Sequence, residues 1–550
     1  MKSIYQSIFS LSLIFCGTLT LTGCMDETEP TTVATSKQIA ESSMAAHASL
    51  MALPAYFNET ERFKDWIDDD GIHYCFGYGA MMHIRDIMTA DLSESSNSYS
   101  HWWRWATNQY QGSDYRYAQY LWNYHYGFIL AANSMIGSID ESTATAEQLG
   151  YLGAGYAFRA LIYLDMGRMY EFLPNDKTSS KNSDDNDVLG LTVPIVTDKT
   201  TEDSARNNPR AKHEELAKFI QDDLDKAEQL IVNLSERANH TLPNLACVYG
   251  LKARLYMWNE DYPNAQKYAR MAIDNSDVAP ISKDKALNTS SGFNDAADFL
   301  WASKQNSEAY AVQTGIINWT SWLSNQTTFG YTGAATGSYN LIDVNLYNSI
   351  SNTDWRKLEF RAPKDGYLAG REPFMTPEDA RDPEDKGMAY YAALKFRPNQ
   401  GNRTDYATGA ASAYPIMRVE EMYFIEAEAA AHQDPAKGLE LLKAFMLTYR
   451  DPNYTTRAAS TEEVVKEAVL QKRIELWGEG QTFFDIKRLN MSVTRGYPGT
   501  NFYEAVRLNT NGRPAWMNIV IVQSEPNNNK AIMGWNNPDP SNLYTPWTGE

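Results

Sequence analysis

The stretch "LACVYGLKARLYMWNEDYPNAQKYARMAID", residues 245–274, decides the fold. It reads as two helices joined at "NEDYP". In its second half Ala265, Tyr268, Ala269, Ala272 and Ile273 recur at i, i+3, i+4, i+7 and i+8, one face of an α-helix. Small Ala253 and large Tyr256 come first, and small Ala265 and Ala272 follow. Small residues let paired helices cross closely, and the large ring fills the groove toward the next pair. A hairpin of this kind needs neighbours to cover its faces.

This small–large–small–small register resembles a tetratricopeptide unit. Further pairs are expected around it. Tyr156, Ala160, Tyr163, Leu164 and Gly167 share a face in 151–170, which should couple to 211–232. There Leu216, Phe219, Ile220, Leu224, Ala227, Leu230 and Ile231 trace a 3.6-residue stripe. Arg418 to Tyr449 reads as another pair, turning at "HQDPAKG". The expected fold class is mainly α: irregular tetratricopeptide-like helix pairs forming a scaffold, with a large loop-rich ligand-side region. Trp122 and Trp258 lie inside helical patterns and are expected in the core. Long stretches rich in Gly, Thr, Asn, Pro and aromatics separate the helical segments, and loops of that length usually have a job.

The N-terminus reads as an address. Lys2 precedes an apolar run from Ile8 to Leu21, too short for a membrane span. It ends in Leu21-Thr22-Gly23-Cys24, which resembles a bacterial lipobox. That implies a signal peptide over 1–23, lipidation of Cys24 by acyl chains of the palmitate kind, and a flexible tether over 24–40. The acidic "MDETE" after Cys24 resembles the surface-export signal of certain Gram-negative lipoproteins. The remainder, 41–550, is expected to be one domain. Its scaffold is placed at about 41–275 and 415–490, and its loop-rich part at about 276–414 and 491–550. Cys75 and Cys247 are expected as small buried thiols.

The chain has 550 residues, 43% hydrophobic content and a net charge of −20, a surface that repels phosphate backbones and argues against nucleic-acid binding. Catalytic and metal motifs are missing: there is no Walker A loop, HExxH, CxxC or GxSxG. "GYGAMM" and "GEGQTF" begin a dinucleotide fingerprint and then fail it. The eight His are scattered. "DDNDVLG" (184–190) has Leu189 where a calcium loop needs its fifth ligand. No cofactor, metal or catalytic residue is expected. Glu475 and Glu479 are one turn apart on a predicted helix, a spacing open to acid–base work. Structural ion pairs with Arg473 and Arg488 are the simpler account.

"RIELWGEGQTFFDIKRL" (473–489) resembles the signature of the SusD/RagB family, through Arg473, Glu475, Glu479, Gly480, Phe483 or Phe484, Asp485, Lys487 and Arg488. "PIMRVEEMYFIEAEA" (415–429) resembles its companion through Arg418, Glu421, Ala427 and Glu428. "LWNYHYGFILAAN" (121–133), "FRALIYLDMGRMY" (158–170), "GLTVPIV" (190–196) and "DDLDKAEQLI" (222–231) match in the same order. Glu171 departs from the pattern, standing where the family usually has Gly. The resemblance implies a non-catalytic, lipid-anchored protein of the outer membrane, facing the outside. It would sit over a SusC-like TonB-dependent transporter and pass it oligosaccharides, or in some branches peptides.

A pyranose offers an apolar face for flat rings and a rim of hydroxyls for amides, carboxylates and Arg. Two stretches carry that mixture. "SHWWRWATNQY" (100–110) supplies Trp102, Trp105 and Asn108. "IINWTSWLSNQTTFGYTGAATGSYN" (316–340) supplies Trp319, Trp322, Asn325, Gln326, Tyr331 and Tyr339. The resemblance implies a sugar platform from these two regions, without residue-by-residue matching. Trp102 and Trp105, spaced i, i+3, also suit a helix packing on core. Trp301 suits either place. Peptide or glycoconjugate binding would use the same scaffold. A secreted glycoside hydrolase would need two carboxylates in a cleft. A pure scaffold that binds only the transporter would bury the tryptophans.

Overall fold

A computed structural model describes residues 43–60, 73–95 and 102–549, and the architecture is mainly α. The signal segment, the lipidation expected at Cys24 and the tether over 24–40 lie outside the described residues, as do Ser100 and His101. The longer helices are α1 (Ser43–Tyr56), α2 (Tyr78–Ile87), α3 (Arg116–Gly137), α4 (Ala146–Tyr170), α5 (His213–Leu230) and α6 (Leu245–Trp258). They continue with α7 (Tyr262–Asp274), α8 (Val419–Gln433), α9 (Pro435–Tyr449), α10 (Thr461–Glu475) and α11 (Thr482–Arg488).

Local chemistry sets the ends of these helices. Asn244 caps α6, and Asp261 caps α7 by accepting the Asn264 N–H, with Pro263 in the first turn where no N–H is needed. Thr145 with Gln148 and Ser460 with Glu463 form capping boxes on α4 and α10. "NEDYP" is therefore a stop and a start written side by side.

The helices stack pairwise: α3 on α4, α4 on α5, α5 on α6, α6 on α7. The next layer is α8, against α7, although residues 275–418 lie between them in the chain. α8 then carries α9 and α10. The register read from 245–274 holds, with Ala253, Ala265 and Ala272 fully buried and Tyr256 stacked on Tyr268 at 5.4 Å. The pairs expected at 151–170 with 211–232 and at 418–449 also form.

The insertion between α7 and α8 holds short helices and contributes strands to two small antiparallel sheets that sequence patterning did not anticipate. Their strands are too short for alternation to show. β2 (Trp301–Lys304) pairs with β4 (Ala413–Met417) and closes the base of the insertion. β1 (Leu92–Glu94) pairs with β3 (Asn340–Ile342) and ties it to the N-terminal part.

The helical signature residues form a buried ion network. Glu475 accepts from Arg450 at 2.7 and 2.8 Å, Arg418 at 2.7 Å and Arg356 at 3.1 Å. Glu479 accepts from Lys395 at 2.6 Å and Arg418 at 3.0 Å. This corrects the expectation in two ways. Glu475 ends α10, so Glu479 lies in the turn beyond it and not on the same helix. The expected partners are also engaged elsewhere: Arg473 holds Asp91, and Arg488 holds Glu428 and Asp485. Both carboxylates are buried at 3% exposure, beyond the reach of a substrate. Gly480 makes the turn possible. It has φ +68°, a Cβ there would lie 2.7 Å from Met82 Cα, and its N–H donates to Asp86 at 2.9 Å. Cys75 and Cys247 are buried thiols. Among the described residues no helix is long and apolar enough to cross a membrane.

Candidate functional site

The two aromatic stretches do meet, but facing inward. Trp102 and Trp322 are in edge contact at 5.0 Å, and Trp102 also meets His83 at 4.6 Å and Trp105 at 5.8 Å. Trp319 stacks on Tyr414 at 4.8 Å, and Trp322 on Tyr331 at 4.4 Å. Trp102, Trp105, Trp319 and Trp322 are exposed by 2% or less. The expectation that these four rings offer a sugar platform is therefore corrected: they form the core beneath the loops. Trp301 is core as well, as are Trp122 and Trp258.

The polar candidates are structural for the same reason. Asn108 donates to the Pro540 carbonyl at 2.6 Å and pins the C-terminal tail. Asn325 donates to the Asn340 and Ala393 carbonyls at 2.8 and 2.9 Å and accepts the Asn340 N–H at 2.9 Å. Gln326 donates to the Phe374 carbonyl at 2.8 Å. The Tyr331 hydroxyl is held by His73 Nδ1. A buried amide must find partners, and here backbone carbonyls take most of the donors, with Gln326 also donating to Asp379 at 3.4 Å.

Tyr339 is the exception. It lines an open cavity of about 710 Å³ on the loop side, with Ser95, Thr328, Asp379, Lys386 and Arg403. The hairpin carrying Tyr339 is tight because Gly333, at φ +61°, lies against Asn325, where a Cβ would fall 1.8 Å from the carbonyl oxygen. Arg403 grips Asp379 with two parallel bonds of 2.9 and 2.8 Å, fixing both side chains on the wall. Burial, with the Asp379 charge added, pushes the Tyr339 hydroxyl above its ordinary pKa. It remains protonated at neutral pH and can both donate and accept.

A partly exposed aromatic pair borders the same strand end. Trp103 stacks on Tyr503 at 5.7 Å and 11°. Glu94, the residue before Ser95, is among the charges acting on Tyr503. Beside this pair Arg104 lies 4.4 Å from the Tyr110 ring centre, and Tyr110 contacts Tyr115 at 4.8 Å. Both tyrosines are exposed, by 40% and 39%. Sequence reasoning missed Trp103, although the signal was present. If Trp102 and Trp105 point inward at i, i+3, the ring between them must point out. Nothing in the sequence marked Tyr503.

A second open cavity, about 740 Å³, runs between α3 and residues 194–208 and 524–529. Its rings are tied down: Tyr126 donates to the Pro194 carbonyl at 2.6 Å and Trp122 to Glu525 at 3.2 Å. Among the described residues no group of His, Cys, Asp and Glu could hold a metal ion.

Comparison with known proteins agrees with this architecture. The family profile described as SusD family matches residues 288–545, and the one described as starch-binding associating with outer membrane matches 77–257. Among solved structures, a SusD-like carbohydrate binding protein from Bacteroides vulgatus superposes with a TM-score of 0.68 at 20% identity, covering 88% of this chain and 96% of that one. A SusD superfamily protein from Bacteroides thetaiotaomicron gives 0.64 at 18% identity, covering 88% and 98%. Surface glycan-binding protein A from the same species, in complex with laminarihexaose, gives 0.60 at 16%, covering 90% and 99%. At these identities the likeness speaks for the fold. Among curated proteins no relative matches.

Proposed function

Because the chain belongs to the SusD/RagB family, we propose that it is a non-catalytic, lipid-anchored protein of the outer membrane that binds an oligosaccharide at the Tyr339 cavity. It would deliver that ligand to a SusC-like TonB-dependent transporter. The observation that carries the reading is the loop-side cavity itself. A ring, hydroxyls, a clamped carboxylate–guanidinium pair and a lysine converge on one open space, the composition a sugar's face and hydroxyl rim require. The stacked Trp103–Tyr503 pair extends that surface with apolar area for a longer glycan. The laminarihexaose bound to one structural relative supports a glycan as the ligand class. The profile description supports the outer-membrane setting, and the lipobox at Cys24 supports the anchor.

A glycan array followed by calorimetry on the unlipidated protein tests this. Binding of a glycan, weakened at least about tenfold by Tyr339→Ala, is the expected result. Peptides binding where no glycan does would replace the ligand class while leaving the scaffold reading intact. The burial of Trp102, Trp105, Trp319 and Trp322 favours one rival, a pure scaffold for the transporter. That reading predicts no soluble ligand at all, only co-purification with the transporter.

A further inference from the structure

The scaffold contains a separate cavity of about 290 Å³ where α4, α6, α8, α10 and α11 meet. Its wall is rich in buried positive charge, an unusual content for a chain of net charge −20. Arg254 gives Nε and Nη2 to Glu421 at 2.8 and 2.6 Å. Arg488 gives Nη2 to Glu428 at 2.7 Å and to Asp485 at 3.2 Å, and Lys472 also reaches Asp485, at 2.9 Å. Arg168 donates to Asp165 at 2.7 Å, and Arg85 shares that carboxylate at 2.8 Å.

Two further basic side chains on the wall have no carboxylate in hydrogen-bond contact among the described residues. Lys487 donates to the Met169 and Glu171 carbonyls at 2.8 and 2.7 Å, and Arg513 donates to the Lys487 and Pro174 carbonyls. Glu171, the residue that departs from the family pattern, is engaged by His213 at 2.9 Å and by the Trp258 indole at 2.8 Å. Six basic side chains line the cavity, Arg168, Arg254, Lys472, Lys487, Arg488 and Arg513, beside the carboxylates of Glu171, Glu421 and Asp485, with Asp165 and Glu428 bonded behind them. Exposed Glu260 stands at the mouth. Nη1 of Arg254 is buried without a hydrogen-bond partner among the described residues, and the Tyr262 hydroxyl is the hydrogen-bonding neighbour of Arg488. Burial and like-charged Arg254 and Arg85, against the pull of Asp165, bring Arg168 down to about 10, and burial pushes Lys487 well below the lysine range.

Crowded cations, a guanidinium nitrogen without an acceptor and empty space belong together if a negative ligand completes them. We propose that this cavity binds a small oxyanion, a phosphate or a carboxylate, between Arg168, Arg254 and Arg488. Guanidinium groups suit such ligands because planar N–H donors match paired oxygens. Trp258, Phe484 and Ile425 on the wall leave room for a short carbon chain. Entry is past His213 and Asn259, which are partly exposed, and exposed Glu260. Because the site joins five helices, its occupancy stabilises the scaffold by mass action and does not depend on the glycan reading.

The test uses the unsubstituted protein. Its thermal midpoint is measured in inorganic phosphate, in succinate and in chloride at equal ionic strength, with calorimetry on the first two. A crystal soaked in selenate locates the anion by anomalous scattering. Expected are a rise of about 3 °C or more over chloride, measurable heat with phosphate or succinate, and a selenate peak within hydrogen-bond distance of Arg254 or Arg488. Which of the two ligands acts identifies the source of the oxyanion. Arg254→Gln should weaken binding at least about tenfold; if that variant does not fold, the unsubstituted arms still decide. A cavity filled by water alone overturns the proposal. So does a selenate peak with neither heat nor a midpoint shift, which is an adventitious ion only.

Discussion

At the junction of α8 and α10 the interior is charged, and Glu475 alone takes hydrogen bonds from Arg356, Arg418 and Arg450. Under the ligand-side loops the interior is aromatic, with Trp102, Trp105, Trp322 and Tyr331 in mixed edge and stacked contacts. Charge-assisted bonds are directional and punish any misplacement of a partner. Ring contacts are broad and accept several geometries. The charged half therefore fixes the scaffold, and the aromatic half supports loops whose tips can differ without disturbing it.

The most forceful way to break this contrast is Glu475→Gln. Three guanidinium groups would lose a buried carboxylate, and stability should fall by about 3–5 kcal/mol in urea unfolding. A loss below about 1 kcal/mol would show that those cations reach solvent, and the charged core would no longer be the rigid half.

Glu359 sharpens the contrast with the opposite sign. Burial, with Glu475 nearby and against the pull of Lys395, raises its carboxyl to about 7. In the unfolded chain it ionises near 4.5. Between these values the folded state holds the proton and the unfolded state does not, so its contribution is fully present below 4.5 and is lost as pH rises through 7. Glu359→Gln should match the parent below about pH 4.5 and exceed it by about 2–3 kcal/mol at pH 8. A constant difference across pH would mean that the carboxyl is not titrating in the fold.

A milder cut is expected in the aromatic half. Trp322→Phe removes part of a buried ring and the indole bond to the His73 carbonyl at 2.9 Å. It should cost about 1–2 kcal/mol, because neighbouring rings can close over the gap. A loss as large as that at Glu475 would erase the distinction between the halves.

The same division governs what the sequence reveals. Helix pairs are local, so spacing within 245–274 and 211–232 was enough to place them. The network around Glu475 was not legible, because Arg356 and Lys395 arrive from the insertion and no spacing links them to α10. The ligand-side rings were half legible. Composition located the two stretches, and they do meet at Trp102 and Trp322. Which side of a four-residue helix (Trp103–Ala106) faces inward depends on what lies beneath it, here Tyr74, His83 and Tyr117. Tyr339 lines open space for a reason the sequence did not contain, the Gly333 turn that folds its hairpin back.

The smallest expected change in stability goes with the largest change in binding. Trp103 is partly exposed and stacks only on Tyr503 among the described rings. Trp103→Ala should lower stability by at most about 1 kcal/mol, since little buried area is lost. On the proposed function, the same substitution removes apolar area that a long glycan would cover, so affinity for a hexasaccharide should fall about tenfold while a disaccharide confined to the Tyr339 cavity is unaffected. Calorimetry with the two chain lengths reads this directly. Equal loss for both lengths would mean that Trp103 acts through the fold, and equal retention would place the ligand wholly within the cavity. Only a length-dependent loss makes the outward ring of "WWRW" part of the binding surface and its two inward neighbours the support beneath it.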